Sequence, residues 1–147
     1  MTEIEPFAPN AMLSSWVGKT CDEISRQEYD WTFKFGDIGT VSASCPWRIL
    51  AEGGIAHADE DDGQNFGLLK PIDGVERATK LLSGRKIVSV EVSPISGDLK
   101  VHFEGDRVLE LFNNSSGYEG WQATVTWAGK AFGMVAQGGG QISTWTS

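Results

Sequence analysis

Between Trp31 and Phe35 the chain reads Trp-Thr-Phe-Lys-Phe, apolar and polar side chains in strict alternation. Successive side chains of an extended strand point to opposite faces, so this pattern demands a strand with one face in a core and one in water. Leu99, Val101 and Phe103 alternate in the same way with Lys100 and His102. Trp121, Ala123, Val125 and Trp127 alternate with Gln122, Thr124 and Thr126. Strands with one wet face belong to antiparallel sheets, and three such runs make sheet the framework of the fold.

Turn residues divide the runs. Gly36-Asp37 and Glu104–Asp106 are hairpin turns, with returning strands expected over Thr40–Ser44, extending toward Leu50, and over Arg107–Phe112. Ala128–Lys130 turns the third run into a strand carrying Phe132, Met134 and Ala136 on one face. Gly138–Gly140 then break the chain before Gln141–Thr146 closes it. The halves echo each other: Asp30, Phe33 and Phe35 stand 68 residues before Asp98, Val101 and Phe103, and Gly18 stands 66 before Gly84. One helix is expected at about 73–82. Asp73 and Glu76 have the spacing of a capping box, and Gly84 stops the helix.

The expected fold class is therefore α+β, mainly antiparallel β. It has about eight strands in two related β-meanders, one short helix and a C-terminal hairpin, in a strongly curved or barrel-like sheet. Residues 1–10, acidic and carrying Pro6 and Pro9, read as a flexible tail, and residues 11–147 as a single β-rich domain.

Composition narrows function by exclusion. Twenty acids against 12 bases give a net charge of -8 with no basic cluster. Such a surface repels nucleic acid and anionic membrane and suits solubility or a basic protein partner. No apolar run is long enough to span a bilayer, and the N-terminus lacks the basic and apolar regions of an export signal. A cytoplasmic location is expected, with Cys21 and Cys45 as reduced, packed thiols. Self-association through exposed aromatics remains open.

Each motif that suggests chemistry has a plainer reading. Gly18-Lys19-Thr20 matches the end of a phosphate loop, but Leu13 stands where the first glycine belongs. The run Asp59-Glu60-Asp61-Asp62-Gly63 evokes a calcium loop, but alignment on Gly63 puts Ala58 at the first ligand position. Cys21, Cys45, His57 and His102 have no zinc spacing, and nothing orients a Cys45–His57 nucleophile pair. No catalytic residue, metal or cofactor is expected. In the stretch Ser42–Gly63, Cys45 packs inward, Pro46 marks an edge or bulge, and the chain then runs out into water. The candidate partner-facing residues are Arg48, the acidic run Asp59, Glu60, Asp61 and Asp62, and Tyr118 at a strand entrance.

Three segments, Ser-Cys-Pro-Trp-Arg-Ile from Ser44, Ser-Gly-Tyr-Glu-Gly-Trp-Gln from Ser116 and Met134–Trp145, resemble a group of small bacterial proteins. Their pattern joins an early Leu-x-Gly strand entry, a Tyr-Glu-x-Trp motif and a late glycine run. Trp16-Val17-Gly18-Lys19 fits the first element only in part. Such proteins are often encoded beside secreted toxins, and some are similar to immunity proteins. The resemblance implies a non-enzymatic antitoxin that occludes a basic partner, with the acidic run steering association. A small-ligand binder and an assembly subunit are the alternatives.

Overall fold

The computed structural model describes residues 8–146. The expected β-rich fold is present, with two short helices and eleven strands among the described residues. The strands form two antiparallel sheets that are not closed into a barrel. The first half comprises α1 (Ala8–Leu13), β1 (Glu23–Arg26), β2 (Trp31–Phe35), β3 (Gly39–Ala43), β4 (Trp47–Ala51) and β5 (Gly54–Ala58). The second comprises α2 (Gly74–Leu82), β6 (Ile87–Val92), β7 (Leu99–Phe103), β8 (Arg107–Leu111), β9 (Trp121–Trp127) and β10 (Lys130–Ala136), followed by β11 (Ile142–Thr146).

The faint sequence echo is a structural one. Sheet order is β1-β2-β3-β9-β10-β11 in one layer and β6-β7-β8-β4-β5 in the other. Each half builds a three-stranded meander in one sheet and sends its remaining strands, β4–β5 or β9–β10–β11, across to the other half's meander. The junctions match in detail. Ala43 pairs with Trp121, and Leu111 pairs with Trp47. Ser44 N donates to Gly120 O and Phe112 N donates to Pro46 O, both at 2.9 Å. Hairpins β4–β5 and β9–β10 turn through Glu52-Gly53 and Ala128-Gly129, all four residues at positive φ, the primed turn that fits strand twist. The exchange makes the halves mutually dependent, since the open edge of each meander, β3 or β8, is paired only by a strand of the other half.

Pro46 explains the switch between sheets. It cannot donate to a ladder, so β3 ends at Ala43 and the chain turns a corner rather than continuing toward Leu50. Trp47 then lands on the opposing sheet and meets Trp31 and Phe33 edge-on, with ring centroids 5.0 and 5.1 Å apart. One continuous core results, containing the inward faces of both sheets together with Ala78 and Leu82 of α2. Helix α2 packs on β1, β4 and β5, and α1 packs on β6 and β9. Asp73 caps α2 as its spacing predicts, accepting from Glu76 N at 3.1 Å.

Two elements differ from expectation. Residues 1–7 of the expected tail lie outside the described residues, whereas Ala8–Asn10 open α1. Pro9 there is buried, and Asn10 Oδ1 accepts from Val92 N at 2.6 Å. Proline costs no helical bond so early in a helix. Strand β5 occupies the stretch expected to run into water. The turn at Glu52-Gly53 folds Gly54–Ala58 back onto β4, which puts His57 opposite Ile49 and wholly inside.

Candidate functional site

The first half turns its corner in three residues, Ser44–Pro46, while the second uses nine, Phe112–Gly120. The longer crossing opens a cleft of about 690 Å³ against the shorter one, lined by Ser44, Cys45, Pro46, Ser115, Tyr118 and Glu119 among others. A smaller hollow of about 210 Å³ shares Ser44 and Glu119 and adds Asp30, Ser42 and Gln122. Among the described residues, no cationic side chain lines either one.

The long crossing is held from within. Asn113 is buried and its Nδ2 donates to Ser96 O at 3.0 Å and to Gln137 O at 2.9 Å. Its own N–H donates to Asp98 Oδ1 at 2.8 Å. Trp121 Nε1 donates to Gly97 O at 2.8 Å, and Gly139 N donates to Ser115 O at 2.8 Å. Gly138 must lack a side chain, because a Cβ there would strike the Gly117 backbone. On this anchored frame Tyr118 stands 82% exposed. Ser115 Oγ fixes the turn beneath it, accepting from Gly117 N and Tyr118 N. Asn113 itself carries no sequence signal, because its partners are carbonyls of residues distant in the chain.

The other sequence-predicted residues do not gather at this cleft. Arg48 lies on the outer face of its sheet, where Nε donates to Glu110 Oε1 at 2.6 Å and the guanidinium sits 5.0 Å over the Phe112 ring. Lys100 Nζ lies 3.7 Å from the same Glu110, completing a cross-strand charge row. Of the acidic run, only Glu60 is exposed. Asp61 Oδ2 accepts from Ala58 N at 3.0 Å. Asp62 pairs with Arg26 and accepts from Gly74 N at 2.7 Å, tying β1 and the start of α2 together. Burial pushes the Asp59 carboxyl above its ordinary value. Two of the four carboxylates, Asp61 and Asp62, thus do structural work at home.

The cleft's nucleophile is silent. Burial pushes the Cys45 thiol up to about 12, and the Asp59 and Asp98 carboxylates push in the same direction. A thiol so protonated is a poor nucleophile at neutral pH. Cys21 is likewise pushed up to about 12 by burial, and both cysteines are unpaired. Among the described residues, no three His, Cys, Asp or Glu side chains converge on a point that could hold a metal.

His57 has a different consequence. Neither ring nitrogen has a hydrogen-bond partner among the described residues, and Nδ1 lies 4.0 Å from Asp61 Oδ2. Burial holds the imidazole below its ordinary value of 6.5; Asp61 and Asp62 oppose that shift and Arg77 reinforces it. A depressed folded value means stability is full above about pH 6.5 and is lost as pH falls below it. Asp59, pushed up from 3.8, has the opposite sign and costs stability as pH rises through its own window. The expected result is a wild type that weakens from about pH 6.5 toward pH 5, and a His57→Phe variant whose urea stability stays flatter over that window. At pH 7.5 the variant equals or exceeds the wild type, since phenylalanine forfeits no hydrogen bond. Parallel slopes for the two proteins would clear His57 of the effect.

Set against family models, curated proteins and solved structures, the chain matches none.

Proposed function

We propose that this chain is a non-enzymatic cytoplasmic binding protein that occludes a basic protein partner, in the manner of an immunity-type antitoxin. The observation that carries the reading is Tyr118, an exposed aromatic held out by a crossing that is anchored on the buried Asn113. A rigid tyrosine gives a partner contact area at low entropic cost, and such residues dominate interface energies. Beside it, Glu119 and Asp30 line a hollow without cations, in a chain of net charge -8. A lysine or arginine of the partner would meet both carboxylates there. The net charge speeds encounter with a basic surface, and the local pair selects the register. Glu60 is the member of the acidic run placed to add to the steering by contact. The protonated Cys45 thiol favours binding over catalysis.

A cleft of about 690 Å³ also falls in the range of small-molecule sites, which keeps a ligand-binding reading alive. The two part company on one comparison. Native-cell extract is passed over immobilised wild type and Tyr118→Ala. The expected result is a basic protein retained by the first and lost by the second, its affinity weakened about 30-fold once purified. Equal retention by both proteins removes Tyr118 from the interface. Quenching of tryptophan fluorescence by a metabolite, with no protein retained, favours the ligand.

A further inference from the structure

The two sheets turn different chemistries outward. On the sheet of β4 to β8, Glu91, Lys100, Glu110 and Arg48 form one cross-strand row, in which Lys100 and Arg48 both meet Glu110. On the other sheet, the outer faces of β3, β9, β10 and β11 carry no charged side chain, in a chain that is 22% charged. Thr40, Ser42, Thr124 and Thr126 present hydroxyls there, Gln122 an amide and Trp145 an indole.

One row of register partners crosses this face: Trp145, Gly133, Thr124 and Thr40. A hollow of about 380 Å³ follows it, lined by these four with Ser42 and Asp37 among others. A Cβ at Gly133 would strike Trp145 Cε2 first, then Cζ2 and Nε1, so the indole lies broadside over the glycine. Covering a strand glycine stabilises a sheet, which accounts for the ring's inner face. Its outer face is open, with Trp145 47% exposed. The hydroxyls beside it are fixed in place. Thr40 Oγ1 and Thr124 Oγ1 stand 3.0 Å apart, and Thr124 Oγ1 accepts from Thr40 N at 3.2 Å. Thr32 Oγ1 and Ser42 Oγ, in the next row, are 3.2 Å apart. Such pairs keep donor and acceptor capacity for a further partner.

The occupant has to bring a flat apolar face for the indole and several hydroxyls for the row. Nucleic acid fails, because among the described residues no cationic side chain lines the hollow to meet its phosphates. A second copy of the chain would press one hydroxyl face on another, and serine and threonine seldom carry the energy of protein interfaces. A hexose ring with equatorial substituents fits. Its axial C–H groups make each ring face apolar, and its hydroxyls lie around the edge. Those C–H groups carry slight positive charge, which the electron-rich face of an indole attracts. With strands about 4.8 Å apart, Gly133 to Thr40 spans about 10 Å, the length of two such rings joined by an equatorial linkage.

We infer that this face binds a short neutral glycan of equatorially substituted hexoses, stacked on Trp145 and hydrogen-bonded by Thr124 and Thr40. Asp37 accepts from sugar hydroxyls at the margin of the hollow. The site needs neither the cleft nor Tyr118, so it and the antitoxin reading can each fail alone. Ser42 also lines the smaller hollow beside Glu119, so the test leaves it untouched.

Isotope-labelled protein is titrated with cellobiose, with diacetylchitobiose, and with glucitol, an open-chain polyol that has hydroxyls but no flat face. The expected result is that at least one disaccharide shifts the Trp145 indole N–H and the Thr40 and Thr124 amides in NMR spectra, with a Kd of about 1 mM. Glucitol leaves them in place. Trp145→Ala should weaken binding at least about 10-fold, and Trp145→Tyr should retain most of it. Thr124→Val should weaken it about fivefold, and Tyr118→Ala should leave it unchanged. Urea unfolding checks that each variant is folded. The inference is overturned if neither disaccharide shifts these resonances, if glucitol shifts them equally, or if Trp145→Ala binds as wild type. Shifts centred on Gly117 and Tyr118 put the sugar in the cleft and overturn it too. So does a dimer, seen by light scattering, that Trp145→Ala dissolves.

Discussion

Trp47→Ala is expected to lower folding stability by about 4 kcal/mol. Trp47 opens β4 at the point where the chain has just changed sheets, and it is almost fully buried. Its indole meets Trp31 and Phe33 of the opposite sheet edge-on and lies 5.6 Å from the His57 ring. Truncation therefore opens a cavity between the layers, in a site already walled by rigid aromatics that collapse poorly. Urea denaturation measures the loss, with Tyr29→Ala, on an exposed side chain, expected within about 0.5 kcal/mol of wild type. Phenylalanine gives a gentler probe should the alanine variant fail to fold. Trp47 Nε1 has no hydrogen-bond partner among the described residues, whereas Trp121 Nε1 donates to Gly97 O. Trp121→Phe should thus be the more destabilising of the two phenylalanine variants, by about 1 kcal/mol. A loss under about 2 kcal/mol for Trp47→Ala would mean that the sheets are not held together where the aromatics meet.

The same tryptophan marks how far the sequence can be read. Alternation around Trp31–Phe35, Leu99–Phe103 and Trp121–Trp127 is a local property, and the strands lie where it puts them. The Asp73 cap is local too, and α2 begins beside it. Sheet membership is not local. Pro46 announces a break in the ladder, but whether the chain resumes in the same sheet or the opposite one depends on where β8 lies, sixty residues further on. The acidic run misleads for a related reason. Four consecutive carboxylates read as a solvated face, yet Asp62 finds Arg26 and the amide of Gly74, and neither partner is visible from the run itself. His57 sits in a stretch of Gly, Ala and a single Ile, too weakly patterned to announce β5. The site divides in the same manner: Tyr118 is legible as an aromatic at a strand entrance, while the frame that holds it out rests on carbonyls of Ser96 and Gln137.

Asn113→Asp should remove that frame with almost no change of shape. The amide nitrogen faces two carbonyl oxygens, and a carboxylate oxygen in its place turns two attractions into two repulsions in a buried site. A loss of about 3 kcal/mol at pH 7 is expected, comparable to breaking a buried hydrogen-bonded pair and leaving a charge unmatched. The sign of its pH dependence follows. Burial among carbonyls raises the new carboxyl's folded value above its unfolded one, so the penalty is smallest at acid pH, where the group is protonated, and grows as pH rises. Asn113→Ala supplies the companion case, losing the same two bonds with no added charge and no such slope. Hydrogen exchange then separates stability from site architecture. If Asn113 organises the long crossing, the amides of Gly117 and Gly139, bonded within it to Ser115, lose protection in both variants before those of β2 and β7 do. Uniform loss across the molecule would instead make Asn113 an ordinary core contact, and Tyr118 would then owe its position to something other than the buried amide beneath it.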